Sequence, residues 1–174
     1  TSTAGTSNFR AGVNAGNSIQ SGGNYNTVVG DEAGTAITTG DNNTAIGYAA
    51  LDANTTGSAN TAVGTNALAV NSSGQHNVGL GSLALSANTT GNQNTAIGYQ
   101  TMFSNTTGTR NTASGHGALY TNTTASDNSA FGYYTLLYNT TGTRNTAVGT
   151  YALDANTTTS YNTAVGYLSL SANT

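Results

Sequence analysis

The sequence contains no proline, cysteine, tryptophan or lysine. Without cysteine there is no disulfide framework, thiolate nucleophile or cysteine-based zinc site, and without lysine there is no Schiff base or P-loop lysine. Charged residues make up 5% of the 174 residues, whereas soluble domains carry about 25%. The net charge of −3 argues against nucleic acid or an anionic membrane as a partner. No apolar run reaches the roughly 20 residues of a membrane helix.

A string of the form N-T-A-V/I-G recurs at a fixed interval of 17 residues. The full unit reads NTAVGxxALxANTTGxx, and we number its positions 1 to 17 from the first Asn. Residues 26–174 hold nine such repeats, and residues 1–25 hold a degenerate first copy with one extra residue. The chain begins with Thr1 instead of Met and breaks off within a unit at Thr174. We therefore expect it to be a processed product or a piece of a longer protein.

The unit predicts an all-β fold, a parallel β-solenoid or β-roll. Helical repeats need roughly 30 residues or more, so a period of 17 is too short for them. N-T-A-V-G is typical of a strand, A-L-x-A-N is predicted as a second short strand, and N-T-T-G as a turn. The Gly at position 5 suits a tight corner with positive φ. We expect about ten 17-residue coils, with identical residues stacked in columns about 4.8 Å apart.

Asparagine recurs at positions 1 and 12, and stacked amides can hydrogen-bond along such columns as ladders. We predict one ladder at position 1, formed by Asn43, Asn60, Asn77, Asn94, Asn111, Asn128 and Asn145. We predict a second at position 12, formed by Asn54, Asn71, Asn88, Asn105, Asn122, Asn139 and Asn156. Ile37 interrupts the second column, which indicates that the first coils are end structures.

Large apolar residues recur dependably only at positions 4 and 9, and we predict both as core columns. Position 4 supplies Val63, Leu80, Ile97 and Val148. Position 9 supplies Leu51, Leu68, Leu85, Leu119, Leu136 and Leu153, with the more adaptable Met102 among them. This core is thin for 17 ordered residues per coil. We therefore expect self-association that buries more apolar surface, with a homotrimer favoured over other oligomers.

The unit resembles the S-V-A-I-G-x-x-A-x-A repeats in the heads of trimeric autotransporter adhesins. It is closer still to the N-T-A-I-G-Y-x-A-L-x-x-N-T-T-G repeats of phage tail fibres, over residues 26–174. The resemblance implies a left-handed parallel β-roll in which three chains pack around one axis and serve as a shaft or collar. Receptor binding in such fibres often lies in a separate tip domain. The adhesin-head unit is shorter than this one, and the N-T-T-G turn is the surplus.

Few residues suggest a chemical site. His76 and His116 stand at different repeat positions, and we interpret both as solvated structural residues. Asp31, Glu32 and Asp41 fall in one coil, where a calcium site is an alternative to a solvated cluster. Arg110, Asp127 and Arg144 share position 17 in consecutive coils, which predicts an acid between two bases as a weak surface pair.

Position 6 carries Tyr48, Tyr99, Tyr133 and Tyr167, and position 7 carries Tyr134 and Tyr151. Aromatic side chains on one strip could stack on the sugars of a host-surface glycan, or could pack at a seam between chains, which we favour. The N-T-T and N-S-S strings at position 12 also match the N-glycosylation sequon. Glycans on every coil would crowd one another, so we favour the ladder-and-turn interpretation for these Asn residues.

These features predict a non-enzymatic, extracellular structural fibre segment, on a cell surface or a virion. It would stiffen and present an attachment end, with no catalytic residue, metal or cofactor, and with no nucleic acid or membrane partner. One alternative is a self-polymerising secreted filament, because open coil ends can stack head to tail. A lesser alternative is an ice-binding β-solenoid, because Thr recurs at positions 2, 13 and 14.

Overall fold

The computed structural model describes residues 7–173, and within them the chain winds as a parallel β-solenoid with no helix. Each coil contributes one three-residue strand to a single sheet, in which the strands follow one another in sequence order. The ten strands of the described residues are β1 Phe9–Ala11, β2 Thr27–Val29, β3 Thr44–Ile46, β4 Thr61–Val63, β5 Val78–Leu80, β6 Thr95–Ile97, β7 Thr112–Ser114, β8 Ser129–Phe131, β9 Thr146–Val148 and β10 Thr163–Val165.

The strand register confirms the 17-residue period. Val63 pairs with Leu80, and Leu80 pairs with Ile97, so equivalent residues lie directly over one another. The first pair differs, because Phe9 pairs with Thr27 across an interval of 18 residues. The extra residue, Gly22, has a φ of +119° and is absorbed in the turn before β2. The prediction of an all-β parallel solenoid is therefore confirmed.

The predicted second strand, A-L-x-A-N, is wrong, because this segment is a stack of turns. Positions 7, 9 and 17 hold the backbone in the left-handed region, with φ between about +49° and +64° in every full coil described. An extended strand has negative φ at each residue, so this alternation bends the chain. The turns still bond between coils, as in the 2.9 Å hydrogen bond from the Leu68 N–H to the Ala84 carbonyl oxygen.

Glycine at position 5 marks the corner after each strand. Gly64, for example, has a φ of +133°, a value that residues with a Cβ atom rarely adopt. A Cβ atom on Gly64 would lie 2.6 Å from the carbonyl carbon of Gly81 in the next coil. The corner therefore requires Gly both for its dihedral angle and for the close approach of two backbones.

The core within each coil is formed by positions 3, 8 and 9. The Ala column at position 3 and the Leu column at position 9 are fully buried, from Leu51 to Leu153. The prediction that position 4 belongs to this core is wrong. Ile97 is 42% exposed and Val148 is 39% exposed, while Val63 and Leu80 are half-buried. Side chains alternate across a strand, so when position 3 points inward, positions 2 and 4 must point outward.

The first coils fill the same interior differently. Position 9 is Gly34 where later coils have Leu, and position 12 is Ile37 where later coils have Asn. A Cβ atom on Gly34 would lie 2.7 Å from Cγ1 of Val28 and 2.8 Å from Cδ1 of Ile37, so these two side chains together occupy the space next to the missing Leu. Gly16 and Ile19 repeat this exchange one coil earlier, at the same 2.8 Å. The interruption of the Asn column thus reflects a second way of packing the coil.

Candidate functional site

The two asparagine columns lie inside the solenoid, where their amides form ladders. At position 1, Asn60 Nδ2 donates to Asn43 Oδ1 at 3.2 Å, and the Asn60 backbone N–H donates to the same oxygen at 3.0 Å. At position 12, Asn71 Nδ2 donates to Asn54 Oδ1 at 2.8 Å. These contacts recur in successive coils, and the Asn side chains in both ladders are buried or nearly so.

In each coil from Asn43 to Thr159, a single carbonyl oxygen joins the two ladders. The carbonyl oxygen of Gly57 accepts from Asn43 Nδ2 and from Asn54 Nδ2, both at 2.9 Å. A buried polar group costs free energy unless it is hydrogen-bonded, and here donors and acceptors are matched coil after coil. The position-12 Asn residues from Asn54 to Asn156 are 0% exposed, so their amides are inaccessible to a glycosylating enzyme in the folded chain. Their role is structural.

The outward face of the sheet presents an apolar column at position 4. We name this column the apolar stripe; it consists of Val29, Ile46, Val63, Leu80, Ile97, Phe131, Val148 and Val165, and Ser114 interrupts it. Each member is half-buried or exposed. A rank of mostly Thr residues at position 2 runs beside it on the same face, because positions 2 and 4 both point outward. The stripe therefore extends from β2 to β10 of the described sheet, with one gap at Ser114.

The four tyrosines at position 6, for which glycan contact is the alternative to packing at a seam, do not come together as one patch. Tyr48 stands three coils from Tyr99, and Tyr167 stands two coils beyond Tyr133. Tyr99 and Tyr133 are joined through His116, whose ring centroid lies 5.1 Å from Tyr99 and 5.2 Å from Tyr133. His116 is thus part of an aromatic row, whereas His76 is exposed at position 17.

A second aromatic group lines an open groove on the turn face, and only two of its members, Tyr134 and Tyr151, were singled out from the sequence. The groove has a volume of about 460 Å³ and is lined by Gln100, Tyr120, Thr121, Tyr134, Leu137, Tyr138 and Tyr151. We name it the tyrosine groove. Its residues come from positions 7, 10 and 11, which the repeat pattern fills with small or variable residues. The clustering of six of the ten tyrosines between residues 99 and 151 was the available indication.

The charged column at position 17 forms one ion pair. Arg110 Nε donates to Asp127 Oδ1 at 2.7 Å and Nη2 donates to Oδ2 at 3.1 Å. This hydrogen bonding lowers the pKa of Asp127 and raises the pKa of Arg110. Arg144 instead donates to the Tyr161 hydroxyl and lies over its ring. A pair this exposed contributes little to stability.

The acidic residues of the second coil act as hydrogen-bond acceptors for the coil before it. Asp31 Oδ1 accepts from the Val13 N–H at 3.0 Å, and Asp41 Oδ1 accepts from the Asn24 N–H at 2.7 Å. Glu32 Oε1 accepts from Asn14 Nδ2 at 2.9 Å. Within residues 7–173, no three His, Cys, Asp or Glu side chains gather as metal ligands would. The calcium alternative therefore has no ligand cluster in the described residues.

None of the residues that the structure describes forms a helix suited to crossing a membrane. The chain was also compared with known proteins. No family model, curated protein or solved structure matches the chain. The interpretation of its function therefore depends on the surfaces described above.

Proposed function

We propose that this chain is a non-enzymatic structural segment of an extracellular fibre, and that identical chains associate through the apolar stripe. The observation that carries this proposal is the direction of the position-4 side chains. In each regular coil the interior receives small side chains at positions 3 and 8 and one large side chain at position 9. The largest remaining apolar side chains face outward in an unbroken line from Val29 to Leu80 and beyond.

An exposed apolar line of this length favours burial against another chain. Because each coil adds about 4.8 Å, the nine coils from Val29 to Val165 span roughly 38 Å, and the stripe runs this distance with one gap at Ser114. Three identical chains can turn their stripes toward a common axis, which would complete the thin core of each coil with side chains from its neighbours. The absence of charge from the stripe is compatible with such burial. A homotrimer of this kind would be a stiff rod suited to spacing or presenting an attachment end at a cell surface or on a virion.

The oligomeric state of an Ile97→Asp variant tests this assembly. Ile97 lies outside the core of its own chain, so the change should leave the β-solenoid folded while placing a charge in the proposed interface. We expect the native chain to have the mass of a trimer by light scattering, and the variant to have the mass of a monomer with an unchanged circular dichroism spectrum. Thr107→Asp, on the exposed turn at position 14, is the matched control and should remain assembled.

A native chain that stays monomeric at micromolar concentration would contradict the proposal. An Ile97→Asp variant that assembles like the native chain would contradict the role of the stripe.

A self-polymerising filament is a second candidate, favoured by the strand edges. Each coil pairs with the next through its strand edge, as β9 does with β10. Unpaired edges are templates for pairing with another chain, so successive subunits could stack end to end. Electron microscopy separates the candidates, because this assembly would give continuous filaments whereas the trimer would give rods of finite length.

An ice-binding face is a third candidate, favoured by the outward Thr rank at position 2. Thr44 pairs with Thr61 and Thr95 pairs with Thr112 across neighbouring strands, so hydroxyl groups repeat along a sheet beside the apolar stripe. A regular rank of hydroxyl and methyl groups could match a water lattice. Thermal hysteresis in solution would support this candidate, and its absence from protein that light scattering shows to be monomeric would remove it.

A further inference from the structure

We infer that the tyrosine groove binds a neutral oligosaccharide. The groove is formed within one chain, between position 7 on one wall and positions 10 and 11 on the other. Gln100, Tyr134 and Tyr151 form the first wall. Tyr120, Thr121, Leu137 and Tyr138 form the second. Its volume of about 460 Å³ falls in the range of roughly 300–1,000 Å³ that small-molecule sites occupy.

The groove exists because the repeat pattern is broken locally. Position 7 is Gly117 in the coil between Gln100 and Tyr134, and its missing side chain leaves a gap in the first wall. The Tyr134 ring fills part of this gap, since a Cβ atom on Gly117 would lie 2.2 Å from Tyr134 Cε1. On the second wall, Tyr120 and Tyr138 stand where most other coils have small side chains. These departures concentrate large aromatic rings at one place on an otherwise regular surface.

The rings are held by their neighbours and keep hydroxyl groups available for hydrogen bonding. The Tyr134 hydroxyl lies 3.2 Å from His116 Nε2, and its ring packs edge-on against the imidazole. Tyr120 stacks on Phe103 with ring centroids 5.1 Å apart and planes inclined by 9°. A phenol is protonated at neutral pH without any shift, and burial raises the pKa of Tyr134 further. The groove is therefore a preformed aromatic surface with polar tips.

This combination suits a sugar better than other small ligands. Aromatic rings offer apolar faces for the C–H faces of a pyranose, while phenol, amide and hydroxyl groups can bond to its hydroxyls. None of the seven lining residues is charged, which favours a neutral ligand over an anionic one. The charged residue Asp154 occupies position 10 one coil after Leu137, but it does not line the groove. A ligand of about two or three sugar rings has the size of the groove.

The site is independent of the proposed assembly. The groove uses positions 7, 10 and 11, whereas the apolar stripe uses position 4 of the strand. All seven lining residues belong to one chain, so a monomeric Ile97→Asp variant should still bind the oligosaccharide. Loss of assembly and loss of binding can therefore be measured separately.

The test is a binding screen of the full chain against immobilised tri- and tetrasaccharides, neutral and sialylated, followed by calorimetry with the best neutral probe. We expect a neutral oligosaccharide to bind the native chain. Tyr138→Ala should weaken its binding about tenfold, because Tyr138 presents an exposed ring on the groove wall and removing it costs roughly one aromatic contact. Tyr138→Phe keeps the ring and should retain most of the affinity.

Tyr25→Ala is the matched control, because Tyr25 is similarly exposed and lies outside the groove. Its affinity should equal that of the native chain. The inference would be overturned by the absence of any neutral ligand from the screen, by binding of sialylated probes alone, or by equal affinity in Tyr138→Ala and the native chain.

Discussion

At the scale of single residues, asparagine gives this solenoid a polar interior that repeats without a mismatch. Each amide has an oxygen to accept and an NH₂ group to donate, so one Asn can bond to the Asn above, the Asn below and a backbone carbonyl. Asn88 does all three: it donates to Asn71 Oδ1 at 2.7 Å and to the Gly91 carbonyl oxygen at 3.0 Å, and it accepts from Asn105 at 2.8 Å. A Ser or Thr hydroxyl also donates and accepts, but it has one proton and cannot donate two hydrogen bonds as Asn88 does.

Replacing Asn88 with Asp tests whether the ladder needs its donors. The change keeps the shape of the side chain but removes both hydrogen-bond donors and buries a carboxylate facing two oxygen atoms. We expect the free energy of unfolding to fall by at least about 2 kcal/mol, measured by urea denaturation at equal protein concentration. Asn42→Asp is the control, because Asn42 is exposed at position 17 and has the same charge change. Equal stability of the two variants would show that the ladder contributes little.

Leucine at position 9 also departs from its usual behaviour. Leu119 has a φ of +52°, a conformation that costs roughly 1–2 kcal/mol for a residue with a side chain. Glycine would remove this cost, yet Leu is found there in most coils because its buried volume is needed in the interior. The backbone cost is thus offset by burial, and the exceptions at Gly16 and Gly34 occur where Ile from position 12 supplies the volume.

At the scale of the coil, positions 9 and 12 form one packing unit with two solutions. Later coils combine a large apolar residue at position 9 with Asn at position 12, and the first two combine Gly with Ile. The solutions cannot be mixed, because a side chain at position 9 would collide with the Ile, as the 2.8 Å approach at Gly34 indicates. The boundary between them lies between Ile37 and Asn54.

Moving this boundary by one coil is a direct test of the unit. Leu51→Gly alone should lower the free energy of unfolding by about 2–4 kcal/mol by leaving a cavity, and Asn54→Ile alone should destabilise by overpacking. In the double variant Ile fills the space that Leu leaves, so we expect a favourable coupling of at least about 1 kcal/mol in a double-mutant cycle. Asn71 would keep its 3.0 Å bond to Gly74, as Asn54 now keeps its bond to Gly57.

A cycle between distant coils supplies the control. Asn54→Ile combined with Leu119→Gly joins residues four coils apart, and their effects should add. Additive effects in the Leu51 and Asn54 pair as well would refute the exchange of one packing solution for the other.

The sequence predicted the coil far better than the face on which each side chain lies. The period, the Gly corners and the stacking of Val63 on Leu80 follow from spacing alone. Position 4 was misplaced because hydrophobicity suggests burial, whereas strand alternation puts Ala inward at position 3 and its larger neighbours outward. An apolar residue that another chain would bury faces outward in its own chain. In the sequence it cannot be told apart from a residue of the chain's own core. The left-handed conformation of the Leu in A-L-x-A-N was missed because residues with a side chain rarely adopt it.

The tyrosine groove was beyond a periodic analysis for a related reason. A repeat pattern identifies the residues that all coils have in common, whereas the groove is formed by residues that differ between four neighbouring coils. Gly117 matters only because the ring of Tyr134, 17 residues later, lies against it. Such an arrangement requires the stacking geometry as well as the sequence.

At the scale of the whole molecule, the solenoid is a one-dimensional stack in which each coil contacts only its neighbours. Strand β5, for example, pairs with β4 and β6 and with no other strand of the described sheet. Stability in such an array is approximately a sum of coil and interface contributions. The fold should therefore tolerate the loss of a whole coil, provided that every column keeps its register.

Deleting residues 67–83 removes one full period and joins Asn66 at position 7 to Ala84 at position 8. We expect this 17-residue deletion to keep the circular dichroism spectrum and the protease resistance of the native chain. Deleting residues 67–84 removes one more, the position-8 residue, so that Leu85 must follow Asn66 directly. The resulting coil is too short at its buried corner, where φ alternates in sign, and it should lose at least about 2 kcal/mol and become sensitive to protease.

An insertion at the opposite turn completes the test, because the first coil already accommodates an extra residue there. Inserting one Gly between Ser73 and Gly74 reproduces the place of Gly22 before Gly23, and the strands on either side should keep their pairing. We therefore expect the Gly insertion and the 17-residue deletion to be nearly as stable as the native chain, and the 18-residue deletion to be less stable than both. If both deletions were equally harmful, or equally harmless, the coil would not be the unit on which this fold depends.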